Sequence, residues 1–102
     1  MSGVEITDRY VRRTLPGGRV EEVSWADLAE VRIITSTDGP FADDVFFVLI
    51  GARGNGCAVP QSAGGKSLLH RLQALPGFDN EAVVAAMGCT TDHQFLCWRR
   101  AN

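Results

Sequence analysis

The sequence predicts an α+β domain built on a twisted, mainly antiparallel sheet of about six strands. Short runs of β-branched and aromatic residues, separated by glycine- and proline-containing turns, fill the first 60 residues and are typical of strands joined by hairpins. Leucines then recur at helical spacing, and a last strand-like run closes the chain. Such segregation of strands and helices is typical of α+β domains. The length of 102 residues fits a single domain, 1–102.

The first two strands are predicted near 4–13 and 19–23, on either side of a turn at Pro16-Gly17-Gly18. Proline presets one turn dihedral and glycine supplies positive φ, so this segment favours a hairpin. The next residues, Ser24-Trp25-Ala26-Asp27, match a helix start in which the serine caps the first turn. Because β-branched residues follow at once, the sequence predicts only a one-turn helix near 25–29.

Three further strands are predicted before the two longer helices. They lie at 31–35, 45–50 and 57–60. The run 45–50 is the most apolar in the chain, and its β-branched and aromatic content favours a central strand. Pro60 cannot donate a ladder hydrogen bond, so it marks a sheet edge or a strand end.

The period of the apolar residues then changes to that of a helix. The leucines at this spacing are Leu68, Leu69, Leu72 and Leu75. They predict a helix near 65–74, which Pro76-Gly77 ends. Asp79 is a suitable N-cap for a second helix near 79–87. Residues 93–100 then form the last strand.

Three phrases of the sequence carry a resemblance to known proteins. The phrase W-x-D-L-x-x-V, from Trp25 to Val31, resembles a segment of bacterial pleckstrin-homology-like domains. Together with T-D-G-P-F at 37–41, L-P-G-F-D-N at 75–80 and the late Cys97-Trp98 pair, it resembles a family of small bacterial proteins. The resemblance implies a bacterial globular domain, with a pleckstrin-homology-like sheet as one form of it, and implies no activity.

Composition excludes several classes of function. The net charge is −2 and no dense basic stripe occurs, so nucleic acid is not an expected partner. No window approaches the roughly 18 consecutive apolar residues of a membrane span, so no membrane partner is expected. The start of the sequence lacks a basic region followed by an apolar one, and the three cysteines make an odd count. Both observations favour a cytoplasmic protein with reduced thiols.

The segment 38–44 is the candidate protein-binding site. It places one aromatic side chain among three carboxylates: Asp38, Phe41, Asp43 and Asp44. A partner protein would bury Phe41 and pair the acids with its own arginines or lysines. The alternative is that Phe41 folds back onto the core and the acids only solubilise the loop.

A second candidate site is an anion-binding turn at the start of the first long helix. Its residues are Gly64, Gly65, Lys66 and Ser67. Pro60 stands where a phosphate loop has its first glycine, so that motif is not present. The two glycines would still expose amides to an anion at a helix N-terminus, and a plain helix start is the alternative.

The cysteines and histidines do not predict an active site. Cys89, His93 and Cys97 are spaced four and four apart, but a turn and a strand divide that span. We therefore expect buried thiols and a surface histidine rather than a metal site. No spacing places a base beside a thiol, so neither catalysis nor a cofactor is predicted.

The sequence thus predicts a non-enzymatic, cytoplasmic bacterial protein that binds another protein. One specific version is an inhibitor of the immunity or antitoxin type, which covers a basic toxin surface. The alternative is a small-ligand or anion-binding domain that uses the Gly64-Gly65-Lys66 turn. The chain is expected to be a monomer, or a homodimer joined through an open sheet edge.

Overall fold

The computed structural model describes residues 3–36, 45–89 and 91–100, except for the side chains of residues 64–66. Within these ranges the chain forms seven strands, two α-helices and a one-turn 3-10 helix at Trp25–Asp27. The strands are β1 (Gly3–Ile6), β2 (Tyr10–Thr14), β3 (Val20–Ser24), β4 (Leu28–Thr35), β5 (Val45–Gly51), β6 (Gly56–Pro60) and β7 (His93–Arg99). The helices are α1 (Gln61–Gln73) and α2 (Asn80–Met87).

The strands form two antiparallel sheets, which confirms the predicted α+β class. One sheet has the order β1-β2-β3 and the other has the order β6-β5-β4-β7. The predicted single strand at 4–13 is wrong, because the chain turns at Asp8-Arg9. The Thr7 hydroxyl accepts hydrogen bonds from the backbone N–H groups of Arg9 and Tyr10, each at 3.1 Å, and so stabilises that turn.

The predicted turn and caps are confirmed by their geometry. Gly17 and Gly18 have φ values of 96° and 89°, which side-chain-bearing residues rarely adopt. The Ser24 hydroxyl accepts a hydrogen bond from the Asp27 N–H at 3.3 Å. Asp79 caps α2 by accepting one from the Ala82 N–H at 3.1 Å. These local signals set the ends of β2, β3 and α2.

Helix α1 begins earlier than the sequence predicts. Its N-cap is Pro60 (φ −60°) and its first residue is Gln61, four residues before the predicted start. Proline suits this place because it lacks the N–H that a helix start leaves unpaired. The helix accommodates two glycines since Leu68 and Leu72 are fully buried against the sheet and anchor it.

The core lies between the helices, the three-stranded sheet and one face of the four-stranded sheet. Every second residue of β5, and of β4 from Val31 onward, is buried, as expected for strands with one face in the core. The largest fully buried side chains are Phe47, Leu28, Ile33, Leu49, Leu68 and Leu72. We call the sheet face that carries Val31, Ile33, Phe47 and Leu49 the inner face.

Both tryptophans are half-buried and pack against this core. The Trp25 indole N–H donates a hydrogen bond to the Thr7 carbonyl at 2.8 Å. The Trp98 indole donates one to the Pro76 carbonyl at 2.8 Å. Each tryptophan therefore ties a connecting segment to the packed strands through its only polar atom.

Side chains, rather than a backbone ladder, link the two sheets beside β6. Glu21 accepts a hydrogen bond from the Ala58 N–H at 3.1 Å, and Arg13 donates one to the Ala58 carbonyl at 2.8 Å. Asn55 donates to the Glu22 carbonyl at 2.9 Å on the same side. The outward backbone groups of Ala58 are thus satisfied where an edge strand would leave them open.

Candidate functional site

Strand β5 is apolar on both of its faces. Val45, Phe47 and Leu49 are buried in the core, whereas Phe46, Val48 and Ile50 point the other way and are only half-buried. An antiparallel sheet with one solvated face normally alternates apolar and polar residues. The helices α1 and α2 pack on the inner face. The outward-facing row of β5 is therefore apolar, although the face of a sheet that contacts water usually carries polar residues.

Neighbouring strands extend this row into a surface. Across the ladder, Phe46 pairs with Ile34, while Val48 lies between Arg32 and Ala58. Leu96 of β7 pairs with Arg32 and is 44% exposed. We call this surface the outer face. It consists of Arg32, Ile34, Phe46, Val48, Ile50, Ala58 and Leu96.

The charged side chains on and beside the outer face are paired within the chain. The Glu30 carboxylate is only 15% exposed and accepts hydrogen bonds from Arg32 and from Arg99, the latter at 3.0 Å. The hydrogen bond from Arg32 is the main cause that lowers the pKa of Glu30. The outer face therefore presents apolar side chains and paired charges rather than one strong sign of charge.

An open groove of about 610 Å³ continues the outer face toward the three-stranded sheet. Its lining includes Val20, Glu22, Val48, Gly56 and Ala58. Val20 is 52% exposed, so it adds a further accessible apolar side chain at the rim. The groove gives the surface a concave side that a flat sheet lacks.

The four predicted protein-binding residues, Asp38, Phe41, Asp43 and Asp44, lie outside the described residues. The strands on either side of them are described. Strand β4 ends at Thr35, and β5 begins at Val45 as its antiparallel neighbour. The prediction for this segment stays a prediction, while β4 and β5 contribute most residues of the outer face.

The prediction that residues 64–67 form an exposed glycine turn before the helix is wrong. The backbone of Gly64, Gly65 and Lys66 lies inside α1, and Ser67 is exposed further along the helix. Only the first turn of a helix offers unpaired amides, and here that turn starts at Gln61. Anion binding stays a prediction, but these residues do not form the exposed loop on which it was based.

Two of the three cysteines belong to the core. Cys57 and Cys97 are almost fully buried, and burial raises the pKa of each thiol to about 11. Cys97 is the extra residue of a bulge in β7 opposite Val31 and Arg32. Among the described residues no three metal-ligating side chains form a group.

The third cysteine lies in a thiol–hydroxyl–imidazole cluster that the sequence interpretation missed. The Cys89 Sγ is 3.5 Å from the Thr91 hydroxyl, which is 3.2 Å from Nδ1 of His93. Hydrogen bonds from Thr91 are the main cause that lowers the pKa of Cys89. The three residues lie within five positions of one another, so the C-x-T-x-H spacing was the available signal.

Comparison of the chain with protein-family models, with curated proteins and with solved structures finds no match. No helix in residues 3–36, 45–89 or 91–100 is long and apolar enough to cross a membrane.

Proposed function

We propose that this chain is a non-enzymatic, cytoplasmic bacterial protein that binds another protein through its outer face. One observation carries the proposal. The central strand β5 places Phe46, Val48 and Ile50 on a sheet face that neither helix covers. Contiguous exposed apolar surface on a small protein is a mark of an interaction site.

The composition of the outer face suits a protein interface. Phe46 supplies an aromatic side chain and Arg32 an arginine, the residue types enriched at interface centres. Complete burial of an exposed large apolar side chain contributes roughly 1.5–3 kcal/mol. The half-buried row of β5 would contribute less per residue. Several such residues together still provide a useful driving force for association.

The partner that fits this surface is itself apolar at its centre. Glu30 is already paired with Arg32 and Arg99, so these side chains discriminate only weakly between acidic and basic partners. An immunity or antitoxin-like inhibitor remains a specific form of this proposal. In that form, the outer face covers an apolar part of the toxin, and acids of the segment 38–44 face its basic part.

A matched pair of variants tests the proposal. Val48→Glu places a charge at the centre of the outer face, whereas Val84→Glu places one on α2 at a side chain that is 73% exposed. Proteins captured from the native lysate by the wild-type chain are purified and titrated against all three forms by calorimetry. We expect Val48→Glu to weaken binding by about tenfold or more, and Val84→Glu to leave it unchanged.

Two outcomes would overturn the proposal. Equal affinity of a purified partner for wild type and for folded Val48→Glu would move the binding site away from the outer face. Light scattering that finds a wild-type homodimer, dissociated by Val48→Glu, would assign the face to a second copy of this chain. Circular dichroism and thermal unfolding of both variants keep a folding defect separate from a binding defect.

A further inference from the structure

We propose that Cys89 is a reactive thiol that undergoes exchange with disulfides, with Thr91 passing its proton to His93. This modification site is separate from the outer face and does not depend on protein binding there. The three side chains lie beyond the C-terminal end of α2 and at the start of β7. They form a linked set of a nucleophile, a relay and a base.

The hydrogen-bond geometry permits two protonation patterns of the same cluster. With neutral His93, the Thr91 hydroxyl donates to Nδ1 at 3.2 Å, and the Cys89 thiol donates toward the oxygens of Thr91 at 3.4–3.5 Å. With protonated His93, Nδ1–H donates to the Thr91 hydroxyl, which then donates to the thiolate. The passage from one pattern to the other moves one positive charge to the imidazole and one negative charge to the sulfur.

Thr35 holds the cluster in place from the adjoining strand. It is the buried polar residue of the described core, at 3% exposure. Its hydroxyl accepts the His93 N–H at 3.1 Å and donates to the Thr91 carbonyl at 2.6 Å. The same hydroxyl lies 3.7 Å from the Cys89 Sγ, farther than the Thr91 hydroxyl at 3.5 Å, so Thr91 is the nearer hydroxyl partner of the sulfur. Thr35 is therefore a positioning residue.

Asp92 is the charged neighbour that opposes the thiolate. Its negative charge raises the pKa of Cys89, but the hydrogen bonds from Thr91 and Thr35 outweigh it and the pKa is lowered. His93 is exposed and stacks on Phe95 with the ring centroids 5.8 Å apart. Solvent therefore has access to the base end of the relay.

The co-reactant of Cys89 in this exchange is a low-molecular-weight disulfide. The Cys89 thiolate attacks one sulfur of the disulfide, and a new S–S bond forms as the old one breaks. The leaving thiolate takes the proton that His93 received from Cys89. The products are a mixed disulfide on Cys89 and one free small thiol, so no further oxidant is needed.

The other two thiols give the site its selectivity. Cys57 and Cys97 are 1% and 2% exposed, and burial raises their pKa to about 11. Buried thiols of this kind are inert in the folded chain. We therefore expect one reactive cysteine out of three.

The test measures the reaction of the folded full chain with dithionitrobenzoate, an aromatic disulfide that releases a coloured thiolate. Wild type should release one equivalent in the native state and three after denaturation, and Cys89→Ser should release none while folded. His93→Gln and Thr91→Val should each slow the reaction roughly three- to tenfold at neutral pH and move the inflection of the rate to higher pH. Thr91→Ser should restore the wild-type rate, and Gln94→Ala should leave it unchanged.

A structural role for Thr91 and His93 would not move the inflection of the pH profile. Unchanged rates and inflections in both His93→Gln and Thr91→Val would overturn the relay. A native rate for Cys89 no faster than that of a cysteine in an unstructured peptide would overturn the reactive thiol itself. The folded state of each variant is checked by the continued protection of Cys57 and Cys97 from the reagent.

Discussion

The guanidinium of Arg13 donates a hydrogen bond to the carbonyl oxygen of Ala58 at 2.8 Å and so joins the two sheets. Glu21 completes this contact by accepting the Ala58 N–H at 3.1 Å. The Arg13 Nη1 and the Glu21 Oε1 are 4.0 Å apart, and the two side chains are 21% and 26% exposed. An ion pair thereby takes the place of a neighbouring strand at the edge of β6.

We expect Arg13→Ala to lower the free energy of unfolding by about 1–3 kcal/mol. The substitution leaves the Ala58 carbonyl without its partner at a half-buried edge, which costs more than the loss of an exposed contact. Urea denaturation at neutral pH measures the change.

Arg12→Ala is the matched control for this change. Arg12 forms ion pairs with Glu5 and Glu22 on the solvated side of the same strand, where its side chain is 38% exposed. Such exposed pairs contribute little to stability because solvent screens them. If Arg12→Ala destabilised the chain as much as Arg13→Ala, the link between the sheets would not be a specific stabilising contact.

The Glu30 carboxylate predicts a pH dependence of stability. Its pKa lies below the ordinary value of 4.5 in the folded chain, mainly because Arg32 donates a hydrogen bond to it. A depressed carboxylate pKa contributes stability above its unfolded pKa, and this contribution is lost as the pH falls through the folded pKa. Glu30→Gln should therefore be less stable than wild type at neutral pH.

Urea midpoints measured from about pH 7 to about pH 3 check this prediction. The difference between wild type and Glu30→Gln should shrink as the pH falls below about 4.5, where the wild-type carboxylate takes up its proton. A difference that stays constant over the whole range would mean that the charge of Glu30 does not contribute to stability.

Trp25 ties the β1–β2 turn to the one-turn helix. Its indole N–H donates to the Thr7 carbonyl at 2.8 Å. Trp25→Phe removes this donor and part of the packed ring, and we expect a loss of about 1–2 kcal/mol in the free energy of unfolding. Thermal and urea unfolding measure it. A loss no larger than that of Tyr10→Phe, which keeps its ring beneath Arg12, would show that the indole hydrogen bond stabilises nothing.

Leu72 anchors α1 to the core at 0% exposure. Leu72→Ala should cost about 2–5 kcal/mol because it removes buried methyl groups and leaves a cavity. Val84→Ala, at a side chain 73% exposed on α2, should change stability by less than about 0.5 kcal/mol. If urea denaturation showed equally small losses of stability for Leu72→Ala and Val84→Ala, the packing of α1 against the inner face would be contradicted.

Local signals predicted much of the fold. The Pro-Gly-Gly turn, the Ser24 and Asp79 caps and the apolar run of β5 all depend on residues close in sequence, and the structure confirms each of them. The break between β1 and β2 was marked only by an irregular alternation. The turn between these strands is stabilised by hydrogen bonds to the Thr7 side chain, which the sequence pattern alone does not indicate.

The candidate sites depend on contacts that are distant in sequence. Nothing near Val48 indicates that both helices lie on the opposite side of β5 and leave it facing outward. The earlier start of α1 likewise follows from tertiary anchoring by Leu68 and Leu72, which overrides the weak helix propensity of Gly64 and Gly65. Sequence patterns predict which residues are apolar more readily than which sheet face the helices α1 and α2 cover.

We propose that a partner protein covers the outer face, and methyl NMR can locate the surface that such a partner contacts. The chain labelled at isoleucine, leucine and valine methyl groups is titrated with the partner purified by affinity capture. We expect chemical-shift changes for the methyl groups of Ile34, Val48, Ile50 and Leu96, with smaller changes for the buried Val31, Ile33 and Leu49. Shifts confined to α2, or to any surface other than the outer face, would contradict it.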